Sequence, residues 1–199
     1  QSRALGMWIV AGTLPLKHAE GLPGASCLVF NDQGRRMARY DKVHLFDVSV
    51  SGAEGDRLYR ESKATRAGEE LVVVDTPAGR LGLSVCYDVR FPELYRALVD
   101  QGAELFSVPS AFTVPTGRAH WEVLLRARAI ENQAFVMAPA QGGLHDNGRR
   151  TWGHTLVADP WGTVLGQQAE GAGVVLAELD LALLNGCRGK LAALAHRVL

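Results

Sequence analysis

Apolar residues in this chain come in short runs separated by polar stretches rich in glycine or proline, and the period of the runs switches between strand and helix. Residues 7–12 form a brief apolar run ending in Gly-Thr, which predicts a buried strand. Residues 26–30 and 36–43 flank Asn31-Asp32-Gln33-Gly34, a hairpin loop with a turn former at its start and glycine at its end. Residues 71–76 and 81–86 predict a second hairpin around Pro77-Ala78-Gly79-Arg80. Between the hairpins, residues 47–70 are polar and contain glycine. They are expected as a long loop, of a size that usually serves function in a compact domain.

The second half alternates more evenly. Pro92 opens a helix reaching about Gln101, and residues 105–108 read as a strand. Thr116 can cap a helix over about 117–132, whose Trp121, Leu124, Leu125, Arg128 and Ala129 recur at i, i+3, i+4 spacing. Residues 135–140 and 155–158 are expected strands, and Asp159-Pro160-Trp161-Gly162 is a turn into Val164-Leu165. Residues 173–179 predict a last strand, followed by a helix from 180 to about 193. No repeat, low-complexity tract or linker divides the chain, so residues 1–199 read as one layered domain of mixed α/β or α+β type.

Composition narrows the function classes. The 199 residues carry 21 Lys+Arg against 21 Asp+Glu, which leaves no electrostatic footprint for a nucleic acid or an anionic membrane. The longest apolar stretches, near 81–86 and 173–179, fall far short of the ~20 residues that span a bilayer. Three cysteines, Cys27, Cys86 and Cys187, form no Cys-x-x-Cys pair and no disulfide framework. Their odd count suits a reducing compartment, so a cytoplasmic location is expected. The sequence begins at Gln1, not Met, and leaves any upstream targeting segment illegible.

The motifs of the cofactor-dependent classes are absent: no Gly-x-Gly-x-x-Gly, no phosphate loop, no His-Glu-x-x-His. Gly82-Leu83-Ser84-Val85-Cys86 lacks the final glycine of a serine nucleophile elbow. Cys86 ends an apolar strand and precedes a helix start, where backbone N–H groups and a positive helix end stabilise a thiolate, with Arg90 nearby. On position alone it reads more readily as a buried structural cysteine. Lys42 and Glu61 each read alone as solvated charges. His44 and His154 are candidate bases for a Cys-His hydrolase. Arg118, Arg149 and Arg150 are candidate carboxylate binders on polar segments that ordinarily hold solvated arginines.

Taken in order, several stretches carry more than their parts. Tyr40-Asp41-Lys42-Val43-His44-Leu45-Phe46 and Cys86-Tyr87-Asp88-Val89-Arg90-Phe91-Pro92-Glu93 resemble the lysine and cysteine motifs of the nitrilase (carbon–nitrogen hydrolase) superfamily. The resemblance continues through Pro109-Ser110-Ala111-Phe112-Thr113 and Thr116-Gly117-Arg118-Ala119-His120-Trp121-Glu122. It runs on through Arg126-Ala127-Arg128-Ala129-Ile130-Glu131-Asn132-Gln133, Gly153-His154 and Asp159-Pro160-Trp161-Gly162, in family order over essentially the whole chain. Within the superfamily the Ala-Phe-Thr and Thr-Gly-x-Ala-His-Trp-Glu runs look most like the amidases that act on deaminated glutathione, with the related ω-amidases next.

The resemblance implies an α/β fold, a four-layer α-β-β-α sandwich, here N-terminally truncated. Upstream of Lys42 the only acidic residues are Glu20, Asp32 and Asp41, none in the context of the family's general-base glutamate, so that base and the opening strand–helix units are expected to be missing. Cys86 is implied as the nucleophile, Lys42 as an oxyanion donor with the N–H of Tyr87 beside it, and Glu61 as the second glutamate. Phe112 and Thr113 are implied in the substrate pocket. No metal and no organic cofactor is implied. The expected partners are a small-molecule amide and a second copy of the chain, in a homodimer or higher homo-oligomer paired through the helices over 91–101 and 117–132. The implied activity is hydrolysis of a non-peptide amide of a small acid to the carboxylic acid and ammonia, through a thioester. The alternative is a catalytically inactive fragment or pseudoenzyme that folds and oligomerises.

Overall fold

A computed structural model of the protein describes residues 1–52 and 55–198. The chain enters through a short helix, α1 (Ser2–Leu5), into a three-stranded antiparallel sheet of β1 (Ile9–Leu16), β2 (Gly24–Phe30) and β3 (Arg36–Asp41). The β2–β3 turn is closed by Asn31, whose Oδ1 accepts from the N–H groups of Gln33 (3.1 Å) and Arg35 (2.9 Å). A two-stranded ribbon, β4 (Ser49–Gly52) and β5 (Gly55–Leu58), follows and leads into a 3₁₀ turn at Glu61–Lys63.

The larger sheet has six strands. They are β6 (Val73–Thr76), β7 (Gly79–Leu83), β8 (Leu105–Ser107), β9 (Phe135–Ala138), β12 (Thr155–Ala158) and β13 (Val164–Gln168), in the order β13-β12-β9-β8-β7-β6. The pairs β7–β8 and β8–β9 are parallel and the rest are antiparallel. The parallel strands are joined by α2 (Pro92–Asp100) and α3 (Val114–Asn132), as parallel pairing requires a crossover. A small hairpin of β10 (Gly142–Leu144) and β11 (Arg150–Trp152) precedes β12, and α4 (Leu181–Lys190) closes the chain.

Each face of the six-stranded sheet has its own core. On one, Tyr95 and Leu98 of α2 and Trp121, Leu125 and Ala129 of α3 bury against Phe106 and Val136. On the other, Cys27, Val29 and Tyr40 of the small sheet pack against Leu81, Leu83, Leu105 and Phe135, with Leu184 of α4. Helix layer, large sheet and small sheet therefore stack in the α-β-β sense of the expected sandwich, and α1 stands at the head of β1.

Three expectations are corrected. Residues 47–70 are not one loop, because they contain the β4–β5 ribbon and the 3₁₀ turn, although residues 53 and 54 lie outside the described residues. Val50 and Leu58 are the only large apolar residues of the ribbon's two strands, so these carry no alternating apolar signal. Residues 173–179 do not form a strand: Val174 and Leu176 are 81% and 85% exposed, and the segment passes β13 at Gly166 without joining its ladder. Helix α3 starts at Val114 with Thr113 as its N-cap and Pro115 in its first turn, so Thr116 lies inside the helix. The β10–β11 hairpin is illegible in its glycine-rich, polar sequence.

Candidate active site

The carboxyl ends of the three parallel strands open on one side, where ligands gather in open α/β sheets. After β7 come Val85, Cys86 and Tyr87, after β8 the run 109–113, and after β9 Pro139, Ala140 and Gln141. All of them line one cavity of about 690 Å³. That volume is in the range of small-molecule sites.

Cys86 lies beyond the strand, not at its end. β7 stops at Leu83, Val85 is extended, and Cys86 opens the 3₁₀ turn Cys86–Arg90 with φ 51°. A non-glycine residue in the left-handed region stores strain and persists only where its surroundings hold it. Two hydrogen bonds hold this one: the Cys86 N–H donates to Pro109 O (3.0 Å), and the Asp88 N–H donates back to Val85 O (3.1 Å). The Asp88 carboxylate is fully buried and accepts from Val85 N (2.8 Å), Tyr40 Oη (2.7 Å) and His44 N (3.1 Å). His44 Nδ1 lies 2.8 Å from the same carboxylate, with its ring stacked on Phe91 at 3.7 Å.

Lys42 follows β3 with its backbone pinned on both sides, N–H to Ala25 O (3.0 Å) and C=O from Gly68 N (2.9 Å). Its side chain is 3% exposed, and Nζ is paired with Glu61 Oε2. A buried ammonium requires such a partner. Glu61 Oε2 also accepts from Phe46 N (2.7 Å), and the turn it opens is held by Asp47, which accepts from the N–H (3.0 Å) and Oγ (2.5 Å) of Ser62. Those bonds hold the Asp47 carboxyl below the usual range.

Lys42, Glu61, Cys86, Tyr87, Phe112 and Thr113, drawn from separate parts of the sequence, all line this one cavity. The Tyr87 ring meets Phe46 edge-on at 5.0 Å, and Phe112 packs on Trp121 at 4.8 Å. Neither candidate histidine lines it: His44 is engaged by Asp88, and His154 lies with Nδ1 2.9 Å from Trp152 O. Of the three candidate arginines, Arg149 lines the cavity while Arg118 lies over the Trp152 ring (5.8 Å) and Arg150 is exposed in β11. Burial pushes the Cys27 thiol up to about 11, and Cys187 is 7% exposed on α4. Among the described residues no three His, Cys, Asp or Glu side chains converge as metal ligands, and no helix is long and apolar enough to cross a membrane.

Sequence reasoning misses Asp88 and Tyr40, although both stand inside the quoted motifs. The available signal is an aspartate two residues beyond the candidate nucleophile and directly before an apolar residue, a placement that calls for buried donors.

Residues 1–188 match the family model described as carbon–nitrogen hydrolase. The chain is 48% identical over 197 residues to a deaminated glutathione amidase of Yersinia enterocolitica, covering 98% of this chain and 68% of that protein. It superposes on the crystal structure of the Caenorhabditis elegans NitFhit protein with TM-score 0.92 and 44% identity, over 99% of this chain and 48% of that one. An amidase from Nesterenkonia sp. AN1, a mutant of which carries acrylamide joined to its active-site cysteine by Michael addition, matches with TM-score 0.76 and 30% identity, over 96% of this chain and 70% of its own. The chain spans about half the length (51%) of the Homo sapiens relative named deaminated glutathione amidase.

Proposed function

This chain belongs to the carbon–nitrogen hydrolase family, and we propose that it hydrolyses the amide of a small acid, of the deaminated-glutathione or ω-amide kind, at Cys86. One observation carries this reading: Cys86, held at φ 51°, shares a cavity with the buried Lys42–Glu61 pair. The Cys86 thiolate attacks the amide carbonyl carbon. The oxyanion that forms is held by the Lys42 ammonium and the N–H of Tyr87, donors of a kind worth about 10²–10³ in rate each. Glu61, paired with Lys42 Nζ, orients it. The C–N bond breaks, the nitrogen leaves as ammonia carrying the proton that the Cys86 thiol gave up on becoming the thiolate, and a thioester remains. Water adds to the thioester, and the C–S bond breaks to release the acid and restore the thiol. Phe112 and Thr113 form the wall against which the acyl chain packs. We place the protein in a compartment that keeps its three free thiols reduced, and pair two copies through α2 and α3, where Val123 and Ile130 are 68% and 50% exposed.

A second reading, an inactive member that only folds and associates, draws on one specific feature. Glu61 is the one carboxylate among the described residues lining the cavity, and Lys42 and the Phe46 N–H already engage it. A separate general base, worth about 10²–10⁴ in rate, is then not at hand. The deciding experiment is ammonia release from deaminated glutathione and from a short ω-amide acid by this chain beside its Cys86→Ala variant. Turnover lost in the variant supports the hydrolase. A folded, soluble sample without turnover selects the second reading.

A further inference from the structure

We propose that Arg149 binds the substrate's free carboxylate, so that the cavity selects amides carrying a negative charge away from the scissile bond. The inference deepens the amidase reading and rests on it.

The charges lining the cavity are unequal. Among the described residues lining it, Lys42 and Glu61 neutralise one another, which leaves Arg60 and Arg149. Arg60 is exposed, and among the described residues its guanidinium bonds only the adjacent Tyr59 carbonyl at 3.4 Å. Arg149 is different. Its Nη2 donates to Ala111 O (2.7 Å), its guanidinium carbon lies 5.8 Å from the centre of the Tyr59 ring, and its Nε is buried without a hydrogen-bond partner. Among the described residues no carboxylate stands within ion-pair distance of it. A guanidinium has five N–H donors, and a buried donor left unsatisfied costs free energy that an incoming acceptor returns. The planar fork matches a carboxylate in two-point fashion.

The fold also holds this guanidinium in place. Arg149 leaves the β10–β11 turn, where Gly148 adopts φ 75°, its own N–H donates to Asn147 Oδ1 (3.0 Å), and its carbonyl accepts from His145 N (2.9 Å). The hairpin is clamped to the run after β8 by Trp152 N donating to Phe112 O (2.9 Å) and by a bridge between Thr151 and Thr113. The Ala111 carbonyl then fixes one end of the fork, so the cation is already positioned before a ligand arrives, which spares ordering cost on binding.

The test measures binding, not turnover. Glutaric acid monoamide and its uncharged diamide are titrated into the Cys86→Ala chain by ligand-observed NMR, with Arg149 intact, as Arg149→Gln and as Arg149→Lys. The acid is expected to bind more tightly than the diamide. Arg149→Gln should weaken the acid about ten- to a hundredfold and leave the diamide within about twofold, and Arg149→Lys should keep part of the preference. Equal weakening of both ligands would mean that Arg149 only braces Ala111. That result, no effect on either ligand, or no charge preference at the outset overturns the proposal. Loss of turnover with the charge preference intact strikes the amidase reading alone. Turnover without the preference strikes this one alone.

Discussion

Tyr40 Oη donates to Asp88 Oδ2 at 2.7 Å, and that bond joins the strand that delivers Lys42 to the turn that delivers Cys86. Tyr40 sits two residues before the lysine and Asp88 two residues after the cysteine. Both are fully buried, and the same carboxylate takes the N–H groups of Val85 and His44. The two halves of the candidate site are thus held in register by one buried acid and its donors, the kind of network that rigidifies when every member is satisfied.

Removing the phenol exposes that dependence. Burial, reinforced by the neighbouring Asp88 charge, pushes the Tyr40 phenol far above its ordinary value of 10.0. A group whose folded value is raised contributes its full stability below the unfolded value and loses it as pH rises beyond. Tyr40→Phe should therefore lower the urea midpoint at neutral pH by the equivalent of about 1–3 kcal/mol, because Asp88 loses a donor. Above pH about 10 the wild type should lose stability more steeply than the variant. Parallel pH profiles for the two proteins would contradict the assignment.

Glu61→Gln strands the Lys42 ammonium, which is 3% exposed. Leaving one partner of a buried pair uncompensated costs about 3–5 kcal/mol, and the 24% exposure of Glu61 places this pair toward the lower end. Lys42→Met added to that variant should recover a large part of the loss. The measurement is a double-mutant cycle on thermal or urea unfolding, and additive effects would show that the pair is not coupled.

The three thiols should separate under iodoacetamide. Raising Cys27 from 9.0 to about 11 leaves it about a hundredfold less thiolate than an ordinary cysteine near neutral pH, and it has no exposed surface. Cys187 is buried on α4, whereas Cys86 opens on the cavity. Peptide mass spectrometry across a time course should find Cys86 modified first, with Cys27 and Cys187 following only as the protein unfolds. Equal rates in the folded protein count against Cys86 as the nucleophile.

Gly12 also lines the cavity, and a Cβ there would overlap the Pro109 ring and sit 3.4 Å from Cys27 Sγ. The Pro109 carbonyl is the acceptor for the Cys86 N–H, so pressure at residue 12 is passed to the nucleophile turn. Gly12→Ala should cost about 1–3 kcal/mol of stability, as overpacking does, and slow Cys86 alkylation in the folded state. Unchanged alkylation alongside lowered stability would show that the strain is absorbed elsewhere.

Local pattern was enough for the hairpins at β2–β3 and β6–β7, for α2 and α3, and for β8, β9 and β12, because the helices turn one apolar face to a core and the central strands, covered on both sides, read as continuous apolar runs. It did not single out the site residues: Lys42 and Cys86 came from the motifs that resemble the nitrilase superfamily, and Glu61 only from what that resemblance implies. Local pattern failed where the buried face is absent or only a residue or two long, as at Thr151 and Trp152 of β11. The β4–β5 ribbon and the β10–β11 hairpin have no apolar period to read. The apolar run 173–179 imitates a strand but passes β13 without joining its ladder.

Local signals along the chain, then, mark which segments bury a face and where residue types with reactive groups stand. It takes the closed fold to end β7, β8 and β9 on one side, to gather donors from Tyr40, His44 and Val85 on Asp88, and to bring Arg149 from a polar turn to the same cavity as Cys86. The physical reason is one of range. Backbone propensity and side-chain periodicity act over a few residues, whereas buried polar partners and a shared cavity exist only once distant elements have closed on one another.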